Sequence, residues 1–513
     1  MSLENRDYKW LSIVLLYLVM AVDWAYAAAR TTTWQRWEHT LISSREYQNP
    51  FIDATVSVVY SGPDGATFKS LVFWDGKNTF KMRCAFPSQG TWSWQTTCSD
   101  TTDTGLHNKR GKVEVAPYNG INPLFKHGFL CVSTNHRYLA YADGTPFLWV
   151  GDTHWAATTL LSERGFRCWV DDRVSKQFTV LQTNIARFKK GPVDADGNVL
   201  WNGDRWNVKF MQKLDREFNY ANDKGLVLFL NGFIDLKWDL KIKDYPRLVQ
   251  MIAARYFAHF VTYSSSMDDG FSTEHDEIDE LINCVTDRHM LTQHTGTSAR
   301  HPVKYYDRAY LDYSMSQSGH HGNNDERASN AAIAWHLNLY RHESHKPVVN
   351  GEGWYDGMAT SEQAAQMGYL SMLSGCCGYT YGAVGQAGDN ELDSLLSRKG
   401  AIYMKYLYNC FIDIDRGRCL IPQHELIRNQ KPDYRNKFVL AMSEDGSKYV
   451  AFLRKGGEIQ IDLRDVSGKL SGKWFNATTG KYSDAFTTSG GQPRSFTSCF
   501  GSAPSLVVLE VIE

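Results

Sequence analysis

From Thr31 to Tyr118 apolar and polar residues alternate in short runs. "ATVSVVYSGPDG", "TFKSLVFWDGKNTFKMRCAFPSQGTWSWQTTC" and "GKVEVAPYNG" are broken by GP, DG and QG turns, and no stretch of useful length repeats at a helical period. Alternation with period two gives each strand one face to bury, so the region predicts a β-sandwich. After "INPLFKHG" the pattern changes to apolar strands separated by helical stretches. The strands are "PFLWVGDTHW", "FTVLQTNIARF", "LVLFLNGF", "VTYSSSMDDG", "HMLTQHTG", "YLDYSMSQSGHH", "PVVNGEGW" and "CCGYTYGA". Helical spacing lies between most of them, as in "VKFMQKLDREFNYANDKG", which ends at a glycine C-cap, and in "RASNAAIAWHLNLYRHE". Eight strands alternating with helices over roughly 270 residues predict a (β/α)8 barrel. A doubly wound open sheet is the competing architecture, but no glycine-rich dinucleotide turn follows the first strand. From about Asp415 the strands return with SEDG, KGG and TTG turns, which predicts a second, smaller sandwich.

The fold class is therefore multidomain, α/β plus all-β: a central (β/α)8 TIM barrel flanked by two β-sandwiches. The expected divisions are a leader at 1–29, a sandwich at 30–122, the barrel at 123–414 and a sandwich at 415–513. The leader carries "WLSIVLLYLVMAV", preceded by Arg6 and Lys9 and followed by Ala25-Tyr26-Ala27. A short apolar run before an A-x-A site is a secretory signal, which places the mature chain outside the cell or in a periplasm. Glu4 and Asp7 run against that pattern, and an uncleaved anchor is the alternative.

Formal net charge is -1, from 55 basic and 56 acidic residues, with no basic run. Nothing here draws the chain to nucleic acid or to an anionic membrane beyond that anchor. Aromatic residues make up 13% of the chain, a content that suits either sugar stacking or aromatic core packing. Ten cysteines show no CxxC and no metal-ligand spacing, so most read as small buried apolar residues. Cys84 and Cys98 flank a hairpin, yet simple register sets Cys84 opposite Ser93, and disulfide pairing stays open.

In a barrel the C-terminal strand ends meet in one cleft. Those ends carry Asp152, His154 and Trp155; Asn184 and Arg187; Asn231; Asp268 and Asp269; Gln293 and His294; Gln317, Ser318 and His320; Glu352 and Trp354; Tyr379 and Tyr381. Carboxylates, histidines, amides and rings together suit a polyhydroxylated ligand. Asp268 and Glu352 lie on strands four and seven, opposite sides of a closed barrel. Glycosidic cleavage needs such a pair, one carboxyl to protonate the leaving oxygen and one to attack or to activate water. Their separation would set the outcome, ~5–5.5 Å for retention and ~6.5–9.5 Å for inversion. Asp152, His154, Trp155, Arg187, His294, Gln317, His320, Trp354 and Tyr381 are the candidate sugar contacts. Each has a structural alternative. Glu352 could be a turn carboxylate paired with Arg187, Asp268 a helix N-cap, Asp152 a loop tie, and Trp354 or Tyr381 core. The histidines have no HExxH or close carboxylate spacing, so no metal and no cofactor is expected.

"NHRYLAYADGTPFLWVGDTHW", "SQSGHH", "KPVVNGEGWYDG" and "GYTYGA" resemble the strand ends of the apiosidase-like glycoside hydrolases (family 140). "WEHTLIS", "NPF" and "VFWDGKNTFKMRCAFPSQGTWSW" resemble the small β-domain ahead of such barrels, and "GKWFNATTGKY" is similar to a C-terminal β-domain of the collagen-binding type. The resemblance implies a retaining glycoside hydrolase acting on a polysaccharide or oligosaccharide, with Glu352 as nucleophile and Asp268 as acid/base. Relatives show Gly-Gly-Asp at the end of strand four where this chain has "SSSMDD", which makes Asp269 the rival acid. Two other functions compete. One is a non-catalytic carbohydrate-binding protein on the same scaffold. The other, a lyase, would want more basic residues than Arg187 in the cleft.

Overall fold

The computed structural model describes residues 29–186, 193–240, 242–268, 272–296, 306–319, 326–385, 387–430 and 438–512. The leader, Arg187, Asp269 and His320 lie outside the described residues. No described helix is long and apolar enough to cross a membrane.

The N-terminal strands form one seven-stranded sheet. Its order is Ala29–Thr32, Arg110–Ala116, Gly90–Cys98, Val56–Ser61, Thr67–Trp74, Thr79–Ala85 and Arg36–Ile42, and only the first pair is parallel. Strand Thr67–Trp74 carries the chain between layers. Its first six residues pair with Val56–Ser61, and Phe73 and Trp74 pair with Lys81 and Phe80. Period-two alternation holds: Val56, Val58, Tyr60, Trp92, Trp94 and Val113 point inward and are buried. Cys84 pairs with Trp37 and Cys98 with Val56, and all ten cysteines are free thiols.

Eight parallel strands close the barrel. They are Trp149–Thr153, Val180–Asn184, Val227–Asn231, Val261–Met267, Leu291–His294, Ser314–Gln317, Val348–Glu352 and Gly378–Ala383, and pairing of the last with the first completes the ring. They are called strands one to eight below. The stretch "PFLWVGDTHW" is not one strand. Pro146–Phe147 joins Leu139–Tyr141 and Leu130–Val132 in a small antiparallel sheet, and strand one starts after Leu148. Leu130, Leu139, Tyr141 and Phe147 share a core with Val180, Val227, Phe229, Tyr313, Met315 and Val349 from the barrel strands. This small sheet plugs the N-terminal end of the barrel.

Besides several helices of four or five residues, two longer ones emerge that the pattern did not predict, Phe233–Leu240 and Lys399–Asp415. The second buries Ala401, Met404, Leu407, Phe411 and Ile414. At the C-terminus a six-stranded sheet and the two-stranded ribbon Glu458–Ile461 with Arg494–Thr497 enclose Leu440, Leu453, Ile459, Ile461, Phe496, Val507 and Leu509.

A charged clamp fastens the N-terminal sheet to the barrel helices. Asp215, on helix Val208–Asp223, accepts two bonds from Arg83 of the sheet, at 3.0 and 2.6 Å. It accepts two more from Arg255 of helix Tyr245–Arg255, at 2.9 and 2.7 Å. Arg255 also donates to Asp75 of the N-terminal region at 2.9 Å, and both guanidinium groups lie against the Phe73 ring.

Candidate active site

Strand seven is buried along its length, and its last side chain, Glu352, is 3% exposed. The glycines on either side of Glu352 are there for space. A Cβ on Gly351 would sit 2.5 Å from Met315, and one on Gly353 would sit 2.2 Å from the Tyr379 hydroxyl. A register shift between Ser316 and Gln317 brings Gln317 directly opposite Glu352. Gln317 Nε2 then donates to Glu352 Oε2 at 2.6 Å. The other oxygen, Oε1, accepts from Trp155 Nε1 at 3.2 Å and from the Tyr355 hydroxyl. Tyr355 also accepts from Trp155 at 3.1 Å. Burial and the adjacent Glu352 carboxylate hold the Tyr355 hydroxyl well above its ordinary pKa, so it stays a donor. Donors on both oxygens orient the carboxylate and keep it from rotating away.

Asp268 stands one residue past strand four, after a register shift between Ser264 and Met267. Its backbone is left-handed, with φ +66°, and its N–H donates to the His294 carbonyl at 3.3 Å. Left-handed backbone at a non-glycine residue stores roughly 1 kcal/mol or more, and such strain concentrates at functional sites. The Asp268 side chain is 54% exposed where Glu352 is almost covered. Between them lies His294, its Nε2 3.3 Å from Glu352 Oε2 and its Nδ1 3.8 Å from Asp268 Oδ1. One oxygen of each carboxylate and one ring nitrogen lie within 4.8 Å of one another. These donor types could also hold a divalent cation, but a cation would have to displace N–H and O–H donors already placed on Glu352.

Glu352, Asp268, His294, Gln317 and Trp155 therefore come together, as the strand-end list anticipated. The structure places four others differently. Asp152 and Tyr381 are register partners on strands one and eight, so their side chains share a face, and that face is the outer one. Asp152 Oδ2 accepts from Arg173 Nε at 2.7 Å and Trp169 Nε1 at 2.5 Å, both on the surrounding helix Glu163–Ser175. Tyr381 donates to Asp356 at 2.9 Å and packs on Phe178. His154 is buried with Nε2 on the Ala387 carbonyl at 2.8 Å, and burial lowers its pKa. Trp354 is 1% exposed within the main core. In the described geometry these four side chains are held in the wall by the partners named.

Two participants escaped the strand-end list. Counting by two from Glu352 selects Trp354, but strand seven ends at Glu352 and pairing resumes at Tyr355–Asp356 with changed phase, so Tyr355 faces the carboxylate. The adjacent aromatic pair was the available signal. The other is Gln182 of strand two, whose Nε2 donates to Thr153 Oγ1 at 3.2 Å and to the Gly351 carbonyl at 2.8 Å, while its Oε1 accepts from Thr380 at 2.9 Å. It fixes the peptide next to Glu352 from inside the barrel.

Two substitutions separate these roles. Asp152→Ala leaves the Arg173 guanidinium buried without its main partner. It is expected to cost about 3–5 kcal/mol of stability in urea unfolding while leaving ligand affinity unchanged. Tyr355→Phe keeps the ring and deletes one donor to a charged acceptor. The expected loss of about 1.5–3 kcal/mol corresponds to roughly a 10–150-fold lower kcat at similar KM.

A closed parallel barrel with two carboxylates facing each other at the ends of strands four and seven has the architecture of a glycoside hydrolase. Residues 133–411, more than half of the chain, match the family model described as apiosidase-like, catalytic domain, and the chain belongs to that family. Residues 30–99 match a domain of unknown function, DUF5060. No curated protein matches the chain. Among solved structures, a glycoside hydrolase family 5 protein from Bacteroides vulgatus ATCC 8482 is 19% identical, with a TM-score of 0.66. That match covers 76% of this chain and 95% of that one. A second protein of the same organism, assigned provisionally as a glycoside hydrolase, is 16% identical with a TM-score of 0.72, covering 94% of this chain and all of its own (100%). At such identities the likeness is one of fold.

Proposed function

We propose that this chain is an exported glycoside hydrolase that cleaves a complex polysaccharide or its side chains by retaining double displacement. The observation that carries the reading is the close approach of Asp268 and Glu352, whose nearest oxygens lie within 4.8 Å across the barrel mouth. That spacing favours direct attack, because an inverting pair stands ~6.5–9.5 Å apart to admit a water between carboxylate and sugar. The unequal surroundings divide the labour. Glu352, fixed by Gln317, Trp155 and Tyr355, attacks the anomeric carbon. Asp268, half-exposed at the rim, gives its proton to the departing oxygen and then takes one from the incoming water. Export rests on the leader sequence.

The deciding experiment follows the first-formed anomer by proton NMR on a panel of 4-nitrophenyl glycosides and plant and bacterial glycans. Retained configuration is expected. An inverted first product would reject double displacement, and binding without turnover across the panel would favour a carbohydrate-binding protein.

A further inference from the structure

His294 is the one side chain at the centre of the site to which double displacement, as described, gives no part. Its ring is wholly buried, 0% exposed, between the ends of strands four and seven. Neither ring nitrogen has a well-aligned hydrogen bond to a described group. What each faces is a carboxylate: Glu352 at 3.3 Å from Nε2, and Asp268 at 3.8 Å from Nδ1. The remaining neighbours are the Trp155 ring, edge-on at 5.1 Å, and the Phe229 ring at 6.3 Å, which do not titrate. Among the described residues Tyr355 is a further ionisable group nearby, and it touches Glu352 on the opposite oxygen.

A neutral imidazole has one N–H and one lone pair, so in either tautomer it can donate to only one of the two carboxyl groups. Only the imidazolium offers an N–H to both. Burial opposes that charge, but the Glu352 carboxylate beside Nε2 outweighs it, with Asp268 adding to the effect, and the ring's pKa lies above its ordinary value.

We propose that His294 is a doubly protonated positioning residue spanning the two carboxyl groups, which holds Glu352 ionised for attack and contributes, beside the Asp268 proton, to the alkaline limb of activity. The inference rests on the retaining reading above. In the first step the Asp268 proton moves to the leaving oxygen, the glycosidic C–O bond breaks, and a Glu352 oxygen bonds the anomeric carbon. The nearer anion is now an ester, and the imidazolium is left facing the Asp268 carboxylate formed in that step. In the second step Asp268 takes a proton from water, the water oxygen bonds the anomeric carbon, and Glu352 departs as a carboxylate. His294 keeps both its protons throughout. Because the folded pKa is raised, the cation is present at low pH and lost as pH rises through that value, which is where activity would fall.

The test compares pH profiles of kcat and kcat/KM for the wild type and His294→Gln on the 4-nitrophenyl glycoside that the wild type turns over fastest. Glutamine can offer Glu352 an N–H but cannot titrate. The expected result is a kcat about 10²-fold lower, KM nearly unchanged, and an alkaline limb moved from its wild-type position, the limb that remains being loss of the Asp268 proton. An alkaline limb that stays in place, or a raised KM at unchanged kcat, would overturn the proposal. If the variant does not fold, NMR of wild-type enzyme labelled at histidine Cε1 decides. One resonance should titrate above the ordinary histidine range and move down in Glu352→Gln, and absence of such a resonance rejects the bridge. Wild type without turnover, or Glu352→Ala with turnover intact, sinks the hydrolase reading and this inference with it. An active wild type, an inactive Glu352→Ala and an unmoved limb sink this inference alone.

Discussion

Replacing Glu352 with alanine is expected to lower turnover by about 10⁴-fold or more, the scale seen when a nucleophile that works as part of a unit is removed. Gln317, Trp155 and Tyr355 would be left aimed at an empty space, with the His294 ring beside it. Added azide should fill that space and attack the anomeric carbon of an activated aryl glycoside in place of the carboxylate. The product would be a glycosyl azide of inverted configuration. Asp268→Ala should behave differently. Glu352 still forms the ester when the leaving group is good, and azide then gives a product of retained configuration. Identifying the two azides by NMR assigns the two acids without reference to any relative. The same inverted azide from both variants would mean that the roles have been misassigned. The Asp269→Ala variant, assayed alongside, tests the rival acid directly.

The second large effect is on stability. Asp215→Ala removes the anion shared by two buried guanidinium groups, Arg83 from the N-terminal sheet and Arg255 from the barrel shell. Breaking one partner out of such an arrangement costs about 3–5 kcal/mol, because Arg83 and Arg255 stay buried with only Glu38 and Asp75 left to balance them. Burial pushes the Asp215 carboxyl up, but Arg255 and Arg83 together outweigh it and hold it well below the ordinary carboxylate range. A depressed carboxyl stabilises the fold above its unfolded pKa, and that contribution is lost as pH falls toward the folded value. The wild type should therefore lose stability in acid more steeply than Asp215→Ala, and urea midpoints measured from neutral to acid pH should converge. Parallel curves would show that the clamp contributes little.

The period of the apolar residues was enough to find the barrel, because each strand is buried on both sides and each intervening helix shows a stripe. It failed where a helix is covered on more than one side. Helix Lys399–Asp415 carries Tyr403, Tyr406, Tyr408 and Ile412 beside its buried stripe, which blurs the helical signal. At the site, the position of Glu352 at a strand end could be read from glycine spacing and the apolar run before it. The orientation of its neighbours could not. Asp152 and Glu352 look alike as strand-end acids, and what separates them is Arg173 and Trp169 on a helix behind the wall. Register shifts on strands four and six decide that Asp268 and Gln317 meet their partners, and a shift of one residue leaves no mark on composition. Trp354 and Tyr355 exchange places for the same reason.

The small sheet at the foot of the barrel has a consequence for traffic. With that end stoppered by Leu130, Leu139, Tyr141 and Phe147, Asp268 and Glu352 stand at the opposite rim of a filled barrel. On the proposed function, a glycan would have to approach, be cut and leave on that one side of the barrel, since the opposite end is stoppered.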